Sequence, residues 1–179
     1  MTPIISVIGR KNSGKTFLLE CLIPVLTRRG LRIGTLKHHH GESFEADTPG
    51  KDSWRHARAG AVVSGVLAKG KTALFLEHEE PMRPGEIVRF FADRVDLVLT
   101  EGFLHAGFPI IEVLRGANGG SPLSTGADRL LTLVTDGEWD LGVPRFGFNE
   151  IESLADFLIL EIRRQALSAT VANCSFTAW

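Results

Sequence analysis

The chain has 179 residues, of which 44% are hydrophobic and 23% charged, and its formal net charge is −1. That is an ordinary soluble balance, favours one domain with one core, and excludes a global positive field that would collect nucleic acid. No apolar run approaches the ~20 residues of a membrane span. Met1-Thr2-Pro3-Ile4 also lacks the charged start and apolar stretch of a signal peptide. The expectation is therefore a cytoplasmic protein with neither a membrane nor a nucleic-acid partner.

The first element is Ile4-Ile5-Ser6-Val7-Ile8, a short apolar run ending in Gly9, as a buried parallel strand would. Leu18, Leu19, Leu22, Ile23, Val25 and Leu26 then recur at helical spacing, and Arg28-Arg29-Gly30 closes the helix. Cys21 falls in this pattern and reads as a small buried apolar residue. With Cys174 it forms neither a metal pair nor a disulfide framework. Residues 31–36 predict a second strand, 38–50 a polar loop, and 52–59 a short helix. Residues 61–68 and 72–77 predict a hairpin turned by Lys69-Gly70-Lys71. Pro84 opens a helix expected to reach Phe91. Strands follow at 95–100, 110–114 and 130–135, with a Gly/Ser-rich surface loop at 116–126. Residues 151–165 predict a closing amphipathic helix, and 168–179 a loosely docked tail. Apolar strands alternating with helices predict an α/β fold. It has three layers, a mainly parallel sheet with helices on both faces, and a local antiparallel hairpin, all in one domain over 1–167.

Between the first strand and helix lies Gly9-Arg10-Lys11-Asn12-Ser13-Gly14-Lys15-Thr16, which fits G-x-x-x-x-G-K-[ST]. The chemistry explains the pattern. Glycines let the main chain fold round an anion, N–H groups and the helix start face it, and the lysine reaches the outer phosphates. The threonine hydroxyl is placed for Mg²⁺. Gly9, Lys11, Asn12, Ser13, Gly14, Lys15, Thr16 and Phe17 are thus the expected nucleotide-binding residues, in a P-loop NTPase fold.

Such a site needs an acid at the carboxyl end of a neighbouring strand. Glu101, followed by Gly102, meets that requirement, whereas Asp96 sits at the amino end of the same strand. The loop after the second strand carries Lys37-His38-His39-His40, then Asp47, Lys51 and Asp52. Asp47 can orient water or join the Mg²⁺ shell. Lys15, Asp47 and Glu101 are therefore the expected catalytic residues, and Thr16, Glu101 and Asp47 the expected metal ligands. Neighbouring histidines in extended chain point to alternate faces and have no cysteine beside them, which favours a solvated or anion-binding run over a transition-metal site. Asp136, after the strand 130–134, can accept the N1 and N2 protons that guanine offers and adenine lacks. Asp136-Gly137 is equally the composition of a turn.

Several stretches together resemble the molybdopterin-guanine dinucleotide biosynthesis protein B family, MobB. They are Ile4 to Gly9 leading into the glycine loop, Leu36 to His40, Asp47-Thr48-Pro49-Gly50-Lys51-Asp52-Ser53, Arg58-Ala59-Gly60-Ala61, Asp96 to Phe103, and Leu154-Ala155-Asp156-Phe157. The resemblance implies a GTP- and Mg²⁺-binding homodimer with weak hydrolysis. It implies a role assisting the guanylyltransferase MobA in joining GMP to molybdopterin, which is itself a candidate ligand near Lys37, Lys51 and Arg55. It carries most weight at Gly9, Gly14, Lys15, Thr16 and Glu101, then at Asp47. Two positions depart from the family's usual pattern. Leu104 stands where a lysine is common, and Val134-Thr135-Asp136 where Ala-Ser-Asp is common. Two other functions fit the same loop. A small-molecule kinase would use Arg83, Arg89 and Arg94 in a lid, and a nickel-type metallochaperone GTPase would use His38 to His40.

Overall fold

A computed structural model describes residues 2–39, 41, 44–116, 121–125 and 128–174. The chain divides into two compact units, Met1–His38 with Val88–Trp179, and His39–Ile87.

In the first unit the apolar runs form strands β1 (Ile4–Ile8), β2 (Ile33–Lys37), β5 (Leu97–Glu101), β6 (Ile110–Leu114), β7 (Leu130–Thr135) and β8 (Arg145–Phe146). They lie in the order β2-β5-β1-β6-β7-β8, and every pairing is parallel. Side chains alternate across a strand, so the register assigns them to faces. Ile5 pairs with Leu99 and Val7 with Ile111, and this face packs against helices α1 (Lys15–Arg28) and α4 (Ile151–Cys174). Leu18, Leu22 and Leu26 of α1 and Leu154, Ala155 and Leu158 of α4 are fully buried there. Deleting any of these leucines would cost about 2–5 kcal/mol. Arg28 and Arg29, ending α1, pair with Glu152 in the first turn of α4 (2.7 and 2.8 Å), each charge matching its helix dipole.

The opposite face carries polar groups that are satisfied in place. Ser6 pairs with Thr100, whose hydroxyl donates to Ser6 Oγ (3.1 Å). Glu112 is completely buried, and its carboxylate accepts hydrogen bonds from the Leu123 and Ser124 backbone N–H groups (2.5 and 3.1 Å) and from the Ser124 hydroxyl. A buried carboxylate without such partners would be strongly destabilising.

The second unit contains α2 (Asp52–Arg58) and the hairpin β3 (Val63–Ala68) and β4 (Lys71–Leu76). Gly70, with φ 80°, turns the hairpin where a side chain would be strained. Short helix α3 (Pro84–Val88) runs across the end of this segment at Ile87.

The expected mainly parallel sheet with helices and a separate antiparallel hairpin is thus observed, with some differences of extent. Helix α3 stops at Val88 instead of Phe91, because a turn and a 3₁₀ segment at Ala92–Arg94 follow it and Phe90 is exposed. Helix α4 continues to Cys174, past the expected end at 165, since Ala166 to Asn173 contains no Gly or Pro to stop it. Residues 175–179 of the expected tail lie outside the described residues, as do 117–120 and 126 of the expected Gly/Ser-rich loop. Strand β8 has only two residues and no sequence pattern. Cys21 is partly exposed rather than buried, because it lies at the edge of the α1 stripe. Asp96 is more than a solvated strand start. Arg32 donates to it from its backbone N–H and its guanidinium (2.8–3.0 Å), and holds its carboxyl down to about 2.

Candidate functional site

Strand β1 lies between β5 and β6, while the next strand in sequence, β2, lies beyond β5. The chain therefore reverses direction across the sheet at β1. At such a switch point a crevice opens at the carboxyl ends of the strands. Gly9, Glu101, Arg115 and Asp136 immediately end β1, β5, β6 and β7 at that edge.

The loop from Gly9 to Thr16 is shaped by its main chain. Gly9 has φ 150°, and a Cβ there would lie 2.4 Å from the Val113 carbonyl oxygen and 2.6 Å from Ser13 Oγ. Asn12 and Gly14 are left-handed (φ 62° and 97°). Gly14 is the N-cap of α1, with no side-chain cap and no acid in the first turn. The first N–H groups of a helix have no internal acceptor, so this helix start offers donors and positive partial charge to an outside anion. Ser13 is buried, and its hydroxyl has no partner among the described residues. Lys15 folds back over the loop, its ammonium donating to the Gly9 and Arg10 carbonyls (2.9 and 2.8 Å). One of its three N–H donors is left over. Burial lowers its pKa below the usual lysine value, the nearby Glu101 charge opposes that shift, and Lys37 adds to it. Arg10 ties the loop to Ser121, donating to its carbonyl (3.2–3.3 Å).

Glu101 receives the Thr16 hydroxyl (3.0 Å) on one oxygen and the Lys37 ammonium (3.3 Å) on the other. Hydroxyl and carboxylate oxygens are the hard donors Mg²⁺ takes. Their 3.0 Å separation suits two neighbouring ligands of an octahedral ion with bonds of ~2.1 Å. The residues present therefore fit the ion. After Glu101 the chain turns through Gly102 (φ 97°) and Phe103 (φ 65°). A left-handed phenylalanine costs roughly 1–2 kcal/mol, and its ring packs on His38 (centroids 4.9 Å apart).

Beside the loop is a cavity of ≈ 480 Å³ bordered by Arg115, Asp136, Gly137, Arg145, Phe148 and Asn149, among others. It adjoins the glycine loop directly, since a Cβ on Gly14 would lie 3.3 Å from the Phe148 ring and 3.4 Å from Arg115 Nη2. Phe17, half-exposed on the first turn of α1, also approaches Phe148 (centroids 6.3 Å apart). Asp136 is held by the Gly116 N–H (2.7 Å) and by Arg115 Nη1 (3.0 Å), and in that order they depress its carboxyl pKa.

The structure thus brings Gly9 to Phe17, Glu101 and Asp136 to one edge of the sheet. Asp47 belongs to the second unit, where one carboxylate oxygen accepts the Thr48 N–H (2.7 Å) and the other is buried without a partner among the described residues. Neighbouring histidines take different surroundings: His38 packs at a tilt against Phe103, while His39 accepts the Gly41 N–H (3.1 Å) and lies against Phe44. His40 lies outside the described residues. Among the described residues no three His, Cys, Asp or Glu side chains gather as a metal site. Sequence reasoning missed Arg115, Phe148 and Glu112. For Arg115 a signal existed, since it directly follows an apolar strand at the ligand-binding edge.

The sequence model of the family described as molybdopterin guanine dinucleotide synthesis protein B, MobB, matches residues 4–136. An Escherichia coli molybdopterin-guanine dinucleotide biosynthesis adapter protein is 34% identical over 171 residues, covering 92% of this chain and 96% of the relative. The Haemophilus influenzae adapter protein is 33% identical over 158 residues, covering 87% of each. Crystal structures of MobB from Bacillus subtilis (TM-score 0.69, 27% identity) and of a homologue from Bacillus stearothermophilus (0.66, 26%) cover 89% and 90% of the chain, and 97% and 98% of their own. This chain belongs to the MobB family.

Proposed function

We propose that this protein is a GTP-binding adapter in molybdopterin-guanine dinucleotide biosynthesis. Its phosphate site would be Gly9 to Thr16 and its base reader Asp136. The observation that carries the reading is continuity: the glycine loop and the carboxylate-lined cavity meet at Gly14, Phe148 and Arg115. A triphosphate on the loop would therefore have its base directed toward Asp136. Thr16 and Glu101 would hold Mg²⁺, which would neutralise phosphate charge when bound. No arginine finger is evident in the sequence, and without one hydrolysis is expected to be slow. A slow nucleotidase suits an adapter that presents nucleotide to a guanylyltransferase, MobA, and the names of the Escherichia coli and Haemophilus influenzae relatives support that role.

We take the working form to be a cytoplasmic homodimer. Val63, Leu67 and Leu74 lie on one face of the hairpin and are 53%, 81% and 58% exposed. An apolar face of this kind commonly marks an association surface. The kinase alternative has less support, because its lid candidates Arg83, Arg89 and Arg94 are all exposed, and Arg89 and Arg94, in the same unit as the ≈ 480 Å³ cavity, do not border it.

Calorimetric titration with GTP and ATP, each with Mg²⁺, tests the proposal on wild type and Asp136→Ala. Preference for GTP in the wild type, lost in the variant, is the expected result. Equal binding of both nucleotides by the wild type would remove Asp136 from base recognition.

A further inference from the structure

Arg115 occupies the groups that a base would use. Its guanidinium carbon lies 3.9 Å from the centre of the Phe148 ring, a stacking distance, and its Nη1 donates to Asp136 Oδ2. The other oxygen, Oδ1, is held by the Gly116 N–H. That contact comes from the main chain and fixes the carboxylate's orientation. The contested positions are therefore the Phe148 face and Oδ2.

Guanine contains the same chemical pattern as arginine. Its N1–H and C2 amino group form a planar guanidine-like edge attached to a π system. That edge donates to a carboxylate, and its flat face stacks on an aromatic ring. Adenine presents an acceptor at N1 and no amino group at C2, so it cannot reproduce the contact.

We infer that Arg115 is an internal stand-in for guanine, occupying the Phe148 and Asp136 contacts until a guanine base displaces it. The inference rests on the reading of Asp136 as base reader and adds a competing group from the same chain. Arg115 is then an affinity-setting residue for any base that enters, while discrimination comes from Asp136, whose freed Oδ2 guanine engages and adenine does not. The cost of displacement lowers apparent affinity by the fraction of time the site is occupied. The arginine is one-third exposed, so its ion pair is modest, and the ring contact adds to it.

The experiment is calorimetry of GTP, ATP and inorganic tripolyphosphate with Mg²⁺ on wild type, Arg115→Ala and Arg115→Lys. Arg115→Ala should bind GTP about fivefold more tightly, with tripolyphosphate unchanged. Arg115→Lys keeps the charge without the planar stack and should fall between. If the wild type prefers GTP but Arg115→Ala leaves GTP affinity unchanged, the inference fails and the GTP reading stands. If GTP and tripolyphosphate weaken together, Arg115 is a phosphate ligand and the inference also fails. If neither protein distinguishes GTP from ATP, both ideas fall.

Discussion

At the loop end of the proposed nucleotide site, the main chain sets the shape. Gly9 and Gly14 occupy backbone conformations that side chains disfavour, and the helix start presents N–H groups without side-chain help. At the cavity end the side chains of Arg115, Asp136 and Phe148 set the shape, and they already satisfy one another. The two ends therefore differ in kind. The first is a main-chain cradle with spare donors, and the second is a closed set of contacts that a ligand must open. A cradle of this type binds any polyphosphate, so discrimination falls to the second end.

The comparison breaks most severely at Gly9. Gly9→Ala would drive a Cβ against the Val113 carbonyl, where the neighbouring main chain cannot yield cheaply. Denaturant melts should show a loss of about 3 kcal/mol, the upper end of overpacking costs, with triphosphate binding abolished. Lys15→Ala sharpens the contrast without touching the fold. GTP and tripolyphosphate affinity should fall between about tenfold and a hundredfold, the worth of a charge-assisted hydrogen bond, while guanosine binding holds. Equal losses for guanosine and GTP would remove Lys15 from the phosphate end. The smallest effect is expected at Phe148. Phe148→Ala should weaken GTP and guanosine alike by about threefold, because losing the ring also frees Arg115. Tripolyphosphate should bind as before.

The same difference explains what the sequence disclosed. The strand Ile4 to Ile8 and the glycine loop are local, so their spacing alone carries the geometry. Glu101 was legible because the strand-end rule needs only one strand and one acid. The same rule points to Arg115 after β6, but its contact with Phe148 was not legible, since it joins residues 33 positions apart and no local period announces it. Glu112 was hidden for a related reason: a charged residue inside β6 looks like an interruption until Leu123 and Ser124 are seen to satisfy it. Strand β8 is too short to have a period, and α4 outran its apolar stripe because nothing in the sequence stopped it.

The central claim is that Asp136 reads the base at one end of a site whose phosphates lie on Gly9 to Thr16. Titration of wild type and Asp136→Asn with GTP and xanthosine triphosphate tests it most directly. Xanthine carries a carbonyl where guanine carries its C2 amino group, and an amide can donate to that oxygen while a carboxylate cannot. The account predicts that wild type prefers GTP and that Asp136→Asn reverses the preference. A variant that still favours GTP as strongly as wild type would contradict it.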